Sequence, residues 1–323
     1  MRRSSSILGR LSLTLLAAWL VLSVSQSVFG ADQVKFGTAL KGVLYYDLPM
    51  IAGQEKGFFN QAGVEVDWVP FSAETEMNRA VAAKAIDIGI SSTIGLVRAI
   101  VRGTPAKLVA EYPSQSHFLI WVKGDGPIKK PEDLKGKAMG ISRFGGSGHA
   151  FTLAFLRSGG LEKDVKIVAV GGASARAAAL KTGHISAFLI TFTPVASQVV
   201  KGELRSIGSM QDYLPKQWME GGVMVRGDYL ETKAPTARNF ITALEKSVNT
   251  ARQDRAWTLN AMKKLGLSGK VAELSADMLF VDRGFKLETE RLENVVKFLW
   301  EYDILKKDKT PPLEALYSAE LLK

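Results

Sequence analysis

The chain has no cysteine among its 323 residues, which excludes several classes of protein at once. Without thiols there is no disulfide framework, no thiolate metal site and no cysteine nucleophile. Histidine is scarce as well, because His117, His149 and His184 are the only three and form no H-x-x-x-H motif. A zinc site is therefore not expected, and the sequence predicts no cofactor.

The established glycine-rich nucleotide motifs are missing too, although one stretch resembles them. Gly140 to Phe155 reads GISRFGGSGHAFTLAF, a short strand pattern, a glycine loop and then an apolar helical pattern. It has no P-loop lysine after its glycines, and neither a dinucleotide fingerprint nor a nucleophile elbow fits it. What remains is a helix start with unpaired N–H groups beside Arg143, which favours an anion. The alternative is a tight turn in which the glycines only permit positive φ.

Apolar runs long enough to cross a membrane are also missing. Three arginines in the first ten residues precede an apolar run from Leu11 to Val24, which is only 14 residues long. A membrane span takes roughly 20 residues, so a retained anchor is the weaker alternative. The order of charged, apolar and small residues predicts a signal peptide over residues 1–30, cleaved after Gly30, and a periplasmic protein. No cysteine follows, which excludes a lipid anchor; the twin-arginine and general secretory routes both stay open.

The charge of the chain is basic but not concentrated. There are 42 Lys and Arg against 32 Asp and Glu; without the three N-terminal arginines, 39 basic residues remain and the net charge is +7. These residues are scattered rather than grouped in a stripe, so we expect no nucleic-acid partner. The surplus favours steering of anionic solutes, with simple solubility as the alternative.

Beyond the signal peptide, the chain repeats one plan of strands and helices. From Val34 the pattern reads strand, helix, strand, helix, strand, and from Lys137 the same order recurs. Gly63 and Gly160 stand where the first helix of each half should end. Alternation with short turns predicts βαβ units and a parallel sheet in each half, and hence two similar α/β lobes.

Two strand-like segments connect these lobes. Phe118–Gly124 leads into the second lobe, and Gly221–Gly227 leads out of it into helical segments that we expect to pack on the first lobe. The prediction is therefore lobe I at residues 31–120 and 222–323, and lobe II at residues 121–221. Two crossings around a cleft form a hinge, as in a receptor that closes on a ligand.

Ligands of open α/β sheets lie beyond the carboxyl ends of the strands, which points to four loops. Their hydroxyls, main-chain donors and single arginine suit a carboxylate or sulfonate, and Arg143 is the first candidate because its guanidinium donates to two oxygens at once. One of the two adjacent tyrosines should face the cleft and the other the core. Asp47 should cap a helix that begins near Pro49. The predicted ligand-binding residues are Tyr45, Tyr46, Asp47, Ser91, Ser92, Thr93, His117, Arg143, Gly146, Ser147, Gly148, His149, Thr191 and Thr193.

Four segments in order carry a more specific resemblance: GQEKGFFNQAGVEVDWV, NRAVAAKAIDIGISS, PEDLKGKAMGISRFGGSGH and AALKTGHISAFLITFTP. With the signal peptide, they resemble the nitrate/sulfonate/taurine-type substrate-binding proteins of ABC transporters, the SsuA/THI5-like (NMT1-like) family. The resemblance covers essentially the whole mature chain. It implies a type II periplasmic binding fold, a monomer without catalysis, and delivery of a small anionic solute to an inner-membrane permease and its ATPase.

Two departures from the family accompany this resemblance. Its members usually carry an acid in the second-lobe counterpart of Asp87, where this chain has Ser186. The related pyrimidine-synthesising enzymes use a cysteine-rich motif, which this chain lacks.

Several functions remain open at this point. The ligand is a sulfonate, a taurine-like solute or a carboxylate, or alternatively a neutral pyrimidine or aromatic solute. A TRAP-type or other secondary transporter is the alternative partner. An enzyme on this scaffold is least favoured, because no nucleophile–base pair stands out. A regulatory ligand-sensing domain would carry a helix-turn-helix instead of a signal peptide.

Overall fold

Two β-sheets of five strands each organise the part of the chain that the structure describes. The structure is a computed structural model, and it describes residues 31–114, 118–280 and 283–322. The expected signal peptide and His117 lie outside these residues, so both stay predictions. None of the helices within them is long and apolar enough to cross a bilayer.

Within each of the two repeats α-helices separate the strands, as the sequence predicts. The strands are β1 (Asp32–Thr38), β2 (Val64–Pro70), β3 (Ile88–Ser92), β4 (Ala106–Tyr112), β5 (Leu119–Lys123), β6 (Ala138–Ile141), β7 (Lys166–Ala169), β8 (Ala187–Ile190), β9 (Leu204–Ser209) and β10 (Gly221–Arg226). The α-helices are α1 (Leu44–Glu55), α2 (Phe58–Gln61), α3 (Glu74–Ala82), α4 (Thr93–Val101), α5 (Ser147–Ser158), α6 (Ala173–Lys181), α7 (Ala196–Val200), α8 (Gly227–Gln253), α9 (Arg255–Lys264), α10 (Gly269–Ala276) and α11 (Thr289–Glu301).

The two sheets have the same topology. The first has the strand order β2-β1-β3-β10-β4, and the second has the order β7-β6-β8-β5-β9. In the first sheet β1 pairs in parallel with β2 and β3, and β10 is antiparallel to both of its neighbours. In the second sheet β6 and β5 take the same two roles. The predicted repeat is confirmed, and we name lobe I and lobe II after the first and the second sheet.

Asp87 and Ser186 hold equivalent positions at the start of the third strand of each repeat. The N–H of Asp87 donates to the carbonyl of Lys35 at 2.8 Å, and that of Ser186 to the carbonyl of Ala138 at 2.7 Å. The carboxylate of Asp87 also accepts the N–H of Lys35 at 2.9 Å and pairs with Arg226 at 2.9 Å. Asp87, the lobe I counterpart of Ser186, is thus a structural residue.

The chain crosses between the lobes at two adjacent places. β4 pairs with β10 in the first sheet, and β5 pairs with β9 in the second, so the outgoing and returning segments lie side by side. The guanidinium of Arg291 binds the carboxylate of Glu111 at 2.5 Å and also the carbonyl of Trp218. Arg291 therefore links the segment before the first crossing to the segment before the second.

The exact limits of the lobes stay a prediction. Residue 120, the expected end of the first part of lobe I, lies within β5, and residue 221, the expected end of lobe II, is the first residue of β10. Asp32–Lys323 form one compact unit, so the lobes are parts of a single packed body.

Glycines end the first helices as predicted. Gly63 has a φ of 70° and Gly160 a φ of 65°, both in the left-handed region that favours glycine. The predicted single helix up to Gly63 is interrupted, because Gly57 has a φ of 67° and separates α1 from α2. This second left-handed glycine is the physical reason for the break.

The C-terminal helices contact both lobes, which corrects the expectation that they pack on lobe I alone. On lobe I, the ring of Phe240 in α8 lies 4.7 Å from that of Phe36 in β1. On lobe II, the ring of Phe298 in α11 lies 6.2 Å from that of Phe151 in α5. In addition, Arg157 of α5 donates to a carbonyl at the end of α11 at 2.9 Å. The C-terminal segment therefore bridges the two lobes.

Candidate functional site

The first strand–helix junction differs from the sequence prediction. Helix α1 begins at Leu44 rather than near Pro49, so Tyr45 and Tyr46 lie in its first turn and not in a loop. Pro49 is inside the helix and has no N–H to donate to the carbonyl four residues earlier, which is that of Tyr45. The hydroxyl of Tyr112 donates to that carbonyl instead. Because this partner replaces the missing N–H, the helix can start before its proline.

Asp47 also lies in the first turn of α1, but it does not cap the helix. The residue at the N-cap is Val43, which makes no side-chain cap, so the capping role expected of Asp47 is wrong. Burial raises the pKa of Asp47 to about 6, although the N–H of Gly42 and the charge of Lys41 act in the opposite direction.

The two tyrosines are distinguished by burial. Tyr46 is only 3% exposed and belongs to the core, while Tyr45 is half-buried. Their rings meet edge to face with centroids 4.5 Å apart. Burial and then the charges of Glu220 and Glu74 raise the pKa of Tyr45 above its ordinary value. Tyr45 is therefore the tyrosine whose side chain is partly accessible to a ligand, and two carboxyl groups lie close enough to affect it electrostatically.

Ser92, the last residue of β3, connects the start of α4 to helix α3. Its hydroxyl accepts the N–H of Gly95 at 3.1 Å, which caps α4, and donates to the carboxylate of Glu74 at 2.7 Å. A Cβ at Gly95 would lie 2.8 Å from Oε2 of Glu74, so this contact needs glycine. Ser91 and Thr93 are fully buried, and neither hydroxyl makes a hydrogen bond of standard geometry among the described residues. Ser91 is still close enough to lower the pKa of Glu74.

The glycine loop leads into α5 as the sequence predicts. The N-cap is Gly146, which has no side chain to cap the helix. The preceding Gly145 has a φ of 75°, and its N–H donates to Nδ1 of His149 at 3.2 Å. Burial and then the charge of Arg98 lower the pKa of His149. The imidazole thus acts as a neutral acceptor that holds the loop in place.

Glu74 connects the two lobes at this helix start. The hydroxyl of Ser147 in lobe II approaches Oε1 of Glu74 at 3.5 Å, and the same oxygen accepts the hydroxyl of Ser92 in lobe I. Glu74 is only 8% exposed, and burial raises its pKa above the ordinary value. The helix start that was expected to hold an anion therefore faces a carboxyl group of the protein itself.

Two arginines act on Glu74 from opposite lobes. Arg98 of α4 and Arg143 of the glycine loop both lower the pKa of Glu74. Arg98 reaches across to lobe II, because a Cβ at Gly145 would lie 3.3 Å from its Nη2 atom. We call this group the seam, and it consists of Glu74, Ser92, Arg98, Arg143 and Ser147.

The remaining predicted residues lie in different places. Gly148 is in the first turn of α5, and its carbonyl accepts the hydroxyl of Thr152 at 2.8 Å. Thr191 directly follows β8, and Thr193 begins a short 3-10 helix. Within the described ranges neither threonine side chain hydrogen-bonds to a seam residue. Ligand contact at these residues, and at His117, stays a prediction.

Sequence reasoning missed Glu74, Arg98 and Glu220. Glu74 is the first residue of α3, where an acid is ordinary because it favours the helix dipole. Arg98 gave a signal that was overlooked, since it is the only charged residue in the apolar helix TIGLVRAIV. Such an arginine needs a polar partner, and that need is itself a sign of a site.

The seam combines guanidinium donors, hydroxyls and one buried carboxyl group, which suits binding and orientation of a polar solute. Nowhere in the described ranges do His, Asp or Glu side chains form a group that could hold a metal ion. These groups can therefore bind a polar solute between the lobes through charge and hydrogen bonds.

Comparisons with known proteins show the family and the fold of the chain. The family model NMT1/THI5 like matches residues 46–256. A protein of Escherichia coli (strain K12) named as an aliphatic sulfonates-binding protein is 30% identical over 143 residues, which is 44% of each chain. The 4-amino-5-hydroxymethyl-2-methylpyrimidine phosphate synthase THI11 of Saccharomyces cerevisiae is 26% identical over 102 residues, covering 31% of this chain and 30% of the synthase. The chain thus spans less than half the length of either relative.

A solved structure extends the likeness to both lobes. The periplasmic aliphatic sulphonate binding protein SsuA from Escherichia coli has a TM-score of 0.75 at 19% identity, covering 89% of this chain and 92% of that chain. This confirms the predicted two-lobe, type II periplasmic binding fold. Because the family model matches well over half of the residues, the chain belongs to the NMT1/THI5-like family.

Proposed function

We propose that the chain is an extracytoplasmic solute receptor that binds a small organic anion between its lobes and delivers it to an ABC permease. The observation that carries this proposal is the meeting of the lobes at Glu74, where Ser147 of lobe II lies 3.5 Å from the carboxyl group and the charges of Arg98 and Arg143, from different lobes, both act on it. A carboxylate or sulfonate placed there accepts charge-assisted hydrogen bonds from both guanidiniums. Such a ligand connects the lobes and favours their closed arrangement.

Family membership and the fold support a binding role. The sulfonate-binding relative and the SsuA structure support an anionic ligand of the sulfonate or carboxylate type. The same proposal includes secretion through residues 1–30, a periplasmic location, a monomeric state, and an inner-membrane permease with its ATPase. A receptor rather than an enzyme is proposed although several relatives are synthases, and the lack of cysteine accords with this choice.

A second candidate is a neutral pyrimidine or another aromatic ring. One observation favours it: Tyr45 is half-buried, stacks edge to face on Tyr46, and feels the charges of Glu220 and Glu74. An amino group on a ring placed against Tyr45 would donate its N–H groups to these carboxyl groups. The likeness to the pyrimidine phosphate synthase is in line with this candidate.

A ligand screen distinguishes these candidates. The chain from Ala31 onward, unfolded and refolded to remove carried ligand, is heated with alkyl sulfonates, taurine, nitrate, aromatic carboxylates and neutral pyrimidines. A ligand at a hundredfold excess over Kd adds about 2.7 kcal/mol to the free energy of unfolding. That raises Tm by a few degrees for a domain of this size.

The pattern of Tm shifts decides between the outcomes. A shift with anions only, abolished by Arg143→Ala and kept by the exposed control Arg255→Ala, supports the proposed receptor. A shift with neutral rings only supports the second candidate. Chemical conversion of a bound solute would contradict a receptor in either form.

A further inference from the structure

A groove of about 210 Å³ lies between helices α3 and α4, beside the seam. Every residue that lines it belongs to the stretch from Glu74 to Thr104, so lobe I forms the groove without help from lobe II. Its lining includes Glu74 and Arg98 of the seam, and it extends to Ala82 and Arg102 at the C-terminal ends of the two helices. The groove is therefore a separate feature that shares one wall with the seam.

Three guanidinium groups line this groove, those of Arg79, Arg98 and Arg102. In the described part of the chain none of the three makes an ion pair or a side-chain hydrogen bond. Burial and then the like charges of Arg102 and Arg143 lower the pKa of Arg98. Glu74, which also lines the groove, acts on Arg98 in the opposite direction, so three positive charges face one carboxyl group here.

Arg98 is partly buried and differs from Arg176 and Arg291, which are buried as whole residues in the described part of the chain. Its Nε atom is buried and has no hydrogen-bond acceptor within the residues the structure describes. In contrast, Arg176 donates to the carbonyl of Leu189 at 2.7 Å, and Arg291 pairs with Glu111. A buried donor without an acceptor is rare in folded proteins, because it loses its hydrogen bonds to water. An acceptor supplied by a ligand would remove this deficit.

Asn78 sets a second requirement for such a ligand. It is 9% exposed and lines the groove, and its Nδ2 donates to the carbonyl of Gly95 at 3.3 Å. Since only the NH₂ end of the amide can donate to a carbonyl, the other end is Oδ1. This oxygen is buried and finds no donor among the described side chains and main chain. A ligand that fits must therefore offer a proton as well as oxygen acceptors.

We propose that this groove is a second binding site, which takes a protonated oxyanion such as hydrogen phosphate. Its oxygens accept from Arg79, Arg98 and Arg102, and its P–OH group donates to Oδ1 of Asn78. Sulfate and sulfonates carry no proton near neutral pH, so they leave Asn78 without a donor. The site goes beyond the proposed receptor function and does not depend on the identity of the cleft ligand.

Structural roles explain only part of these observations. Arg79 and Arg98 lie in the last turns of their helices, where a positive charge is favourable. That role needs neither the buried Nε of Arg98 nor the unpaired Oδ1 of Asn78. An oxyanion in the groove accounts for both atoms together.

Equilibrium dialysis with radiolabelled inorganic phosphate tests this proposal, with sulfate compared at equal ionic strength. Saturable phosphate binding in the low-millimolar range or tighter is expected, with sulfate about tenfold weaker. The double variant Arg79→Gln/Arg102→Gln changes only exposed side chains outside the seam and should raise the Kd for phosphate about tenfold. Asn78→Leu should abolish the preference for phosphate over sulfate. Arg255→Gln, an exposed arginine outside the groove, is the matched control.

Three results would overturn the proposal. One is the absence of saturable phosphate binding, and another is equal affinity for phosphate and sulfate in the unmodified chain. The third is a Kd that Arg79→Gln/Arg102→Gln leaves unchanged while Arg143→Ala raises it, since the phosphate would then lie in the seam. Because the double variant alters exposed residues only, the test holds even where Asn78→Leu fails to fold.

Discussion

The hydroxyl of Tyr112 donates a hydrogen bond to the main-chain carbonyl of Tyr45. This bond connects the last residue of β4 to the first turn of α1. It is needed because Pro49, four residues after Tyr45, has no N–H to complete the helical pattern. A side chain from the sheet thus supplies what the helix lacks, and it fixes the position of two predicted ligand-binding residues.

Tyr112→Phe should lower the free energy of unfolding by about 1–3 kcal/mol, because it leaves a buried carbonyl without a partner. Urea denaturation followed by tryptophan fluorescence measures this change. Tyr317→Phe is the matched control, since its hydroxyl makes no hydrogen bond within residues 31–114, 118–280 and 283–322.

A double-mutant cycle isolates the reason for that loss. Pro49→Ala restores an N–H at position 49, which can donate to the carbonyl of Tyr45. In this background the effect of Tyr112→Phe should fall to less than half of its value in the unmodified chain. Equal effects in both backgrounds would show that the carbonyl is not what Tyr112 stabilises.

Periodicity and glycines predicted most of the fold, because they depend on local preferences. The strand–helix order of both repeats and the turns at Gly63 and Gly160 follow from such preferences, and all were confirmed. The start of α1 was placed near Pro49 because a proline favours the first turn of a helix. The hydroxyl that permits an earlier start comes from Tyr112, 67 residues after Tyr45 in sequence, a contact between distant segments that no local rule contains.

The candidate site was predictable only in part, for the same reason. Ser92, Arg143 and Ser147 were found from loop composition, and the structure brings them together around Glu74. Glu74 itself looks like an ordinary acid in the first turn of a helix. Its role arises because Glu74 is buried and because lobe II approaches it. Both are properties of the packed chain.

Stability should fall as the pH rises from about 4.5 to 7, in part because of Glu111. Glu111 is 1% exposed, and burial raises its pKa to about 7 although Arg291 and Arg283 act in the opposite direction. A carboxyl group whose pKa is raised on folding contributes stability below its unfolded pKa and loses it as the pH rises through the folded value. Asp47, with a pKa of about 6, acts in the same direction.

Glu111→Gln tests this pH dependence. As the pH rises from 4.5 to 8, the variant should become more stable relative to the unmodified chain. The difference in the free energy of unfolding should change by on the order of 2–3 kcal/mol. Denaturation at several pH values measures the difference, and the exposed Glu314→Gln should show none. Parallel curves for Glu111→Gln and the unmodified chain would contradict the raised pKa.

Arg143→Ala should weaken an anionic ligand of the cleft by at least about 1.5 kcal/mol, which is roughly tenfold in Kd. The reason is the loss of one of the two guanidiniums of the seam. Isothermal titration with whichever anion raises Tm most measures the change, and Arg255→Ala controls for the loss of one positive charge. An unchanged Kd for Arg143→Ala would remove this arginine from the site.

Glu74→Gln should have the opposite effect and strengthen the same anion. Two negative charges about 6 Å apart repel by about 2–3 kcal/mol at an effective dielectric constant of 20. Relief of part of this repulsion should lower Kd by about tenfold. Glu76→Gln is the matched control, because Glu76 lies on the same first turn of α3 but is exposed.

The pH dependence of binding gives an independent check on Glu74. Burial raises the pKa of this carboxyl group, so it takes up a proton more readily than an exposed glutamate as the pH falls. Since the protonated form no longer repels an anion, binding to the unmodified chain should tighten as the pH falls, and more steeply than binding to Glu74→Gln. Weaker binding by Glu74→Gln at every pH would mean instead that the ligand donates a hydrogen bond to Glu74, as expected for the amino group of an aminopyrimidine.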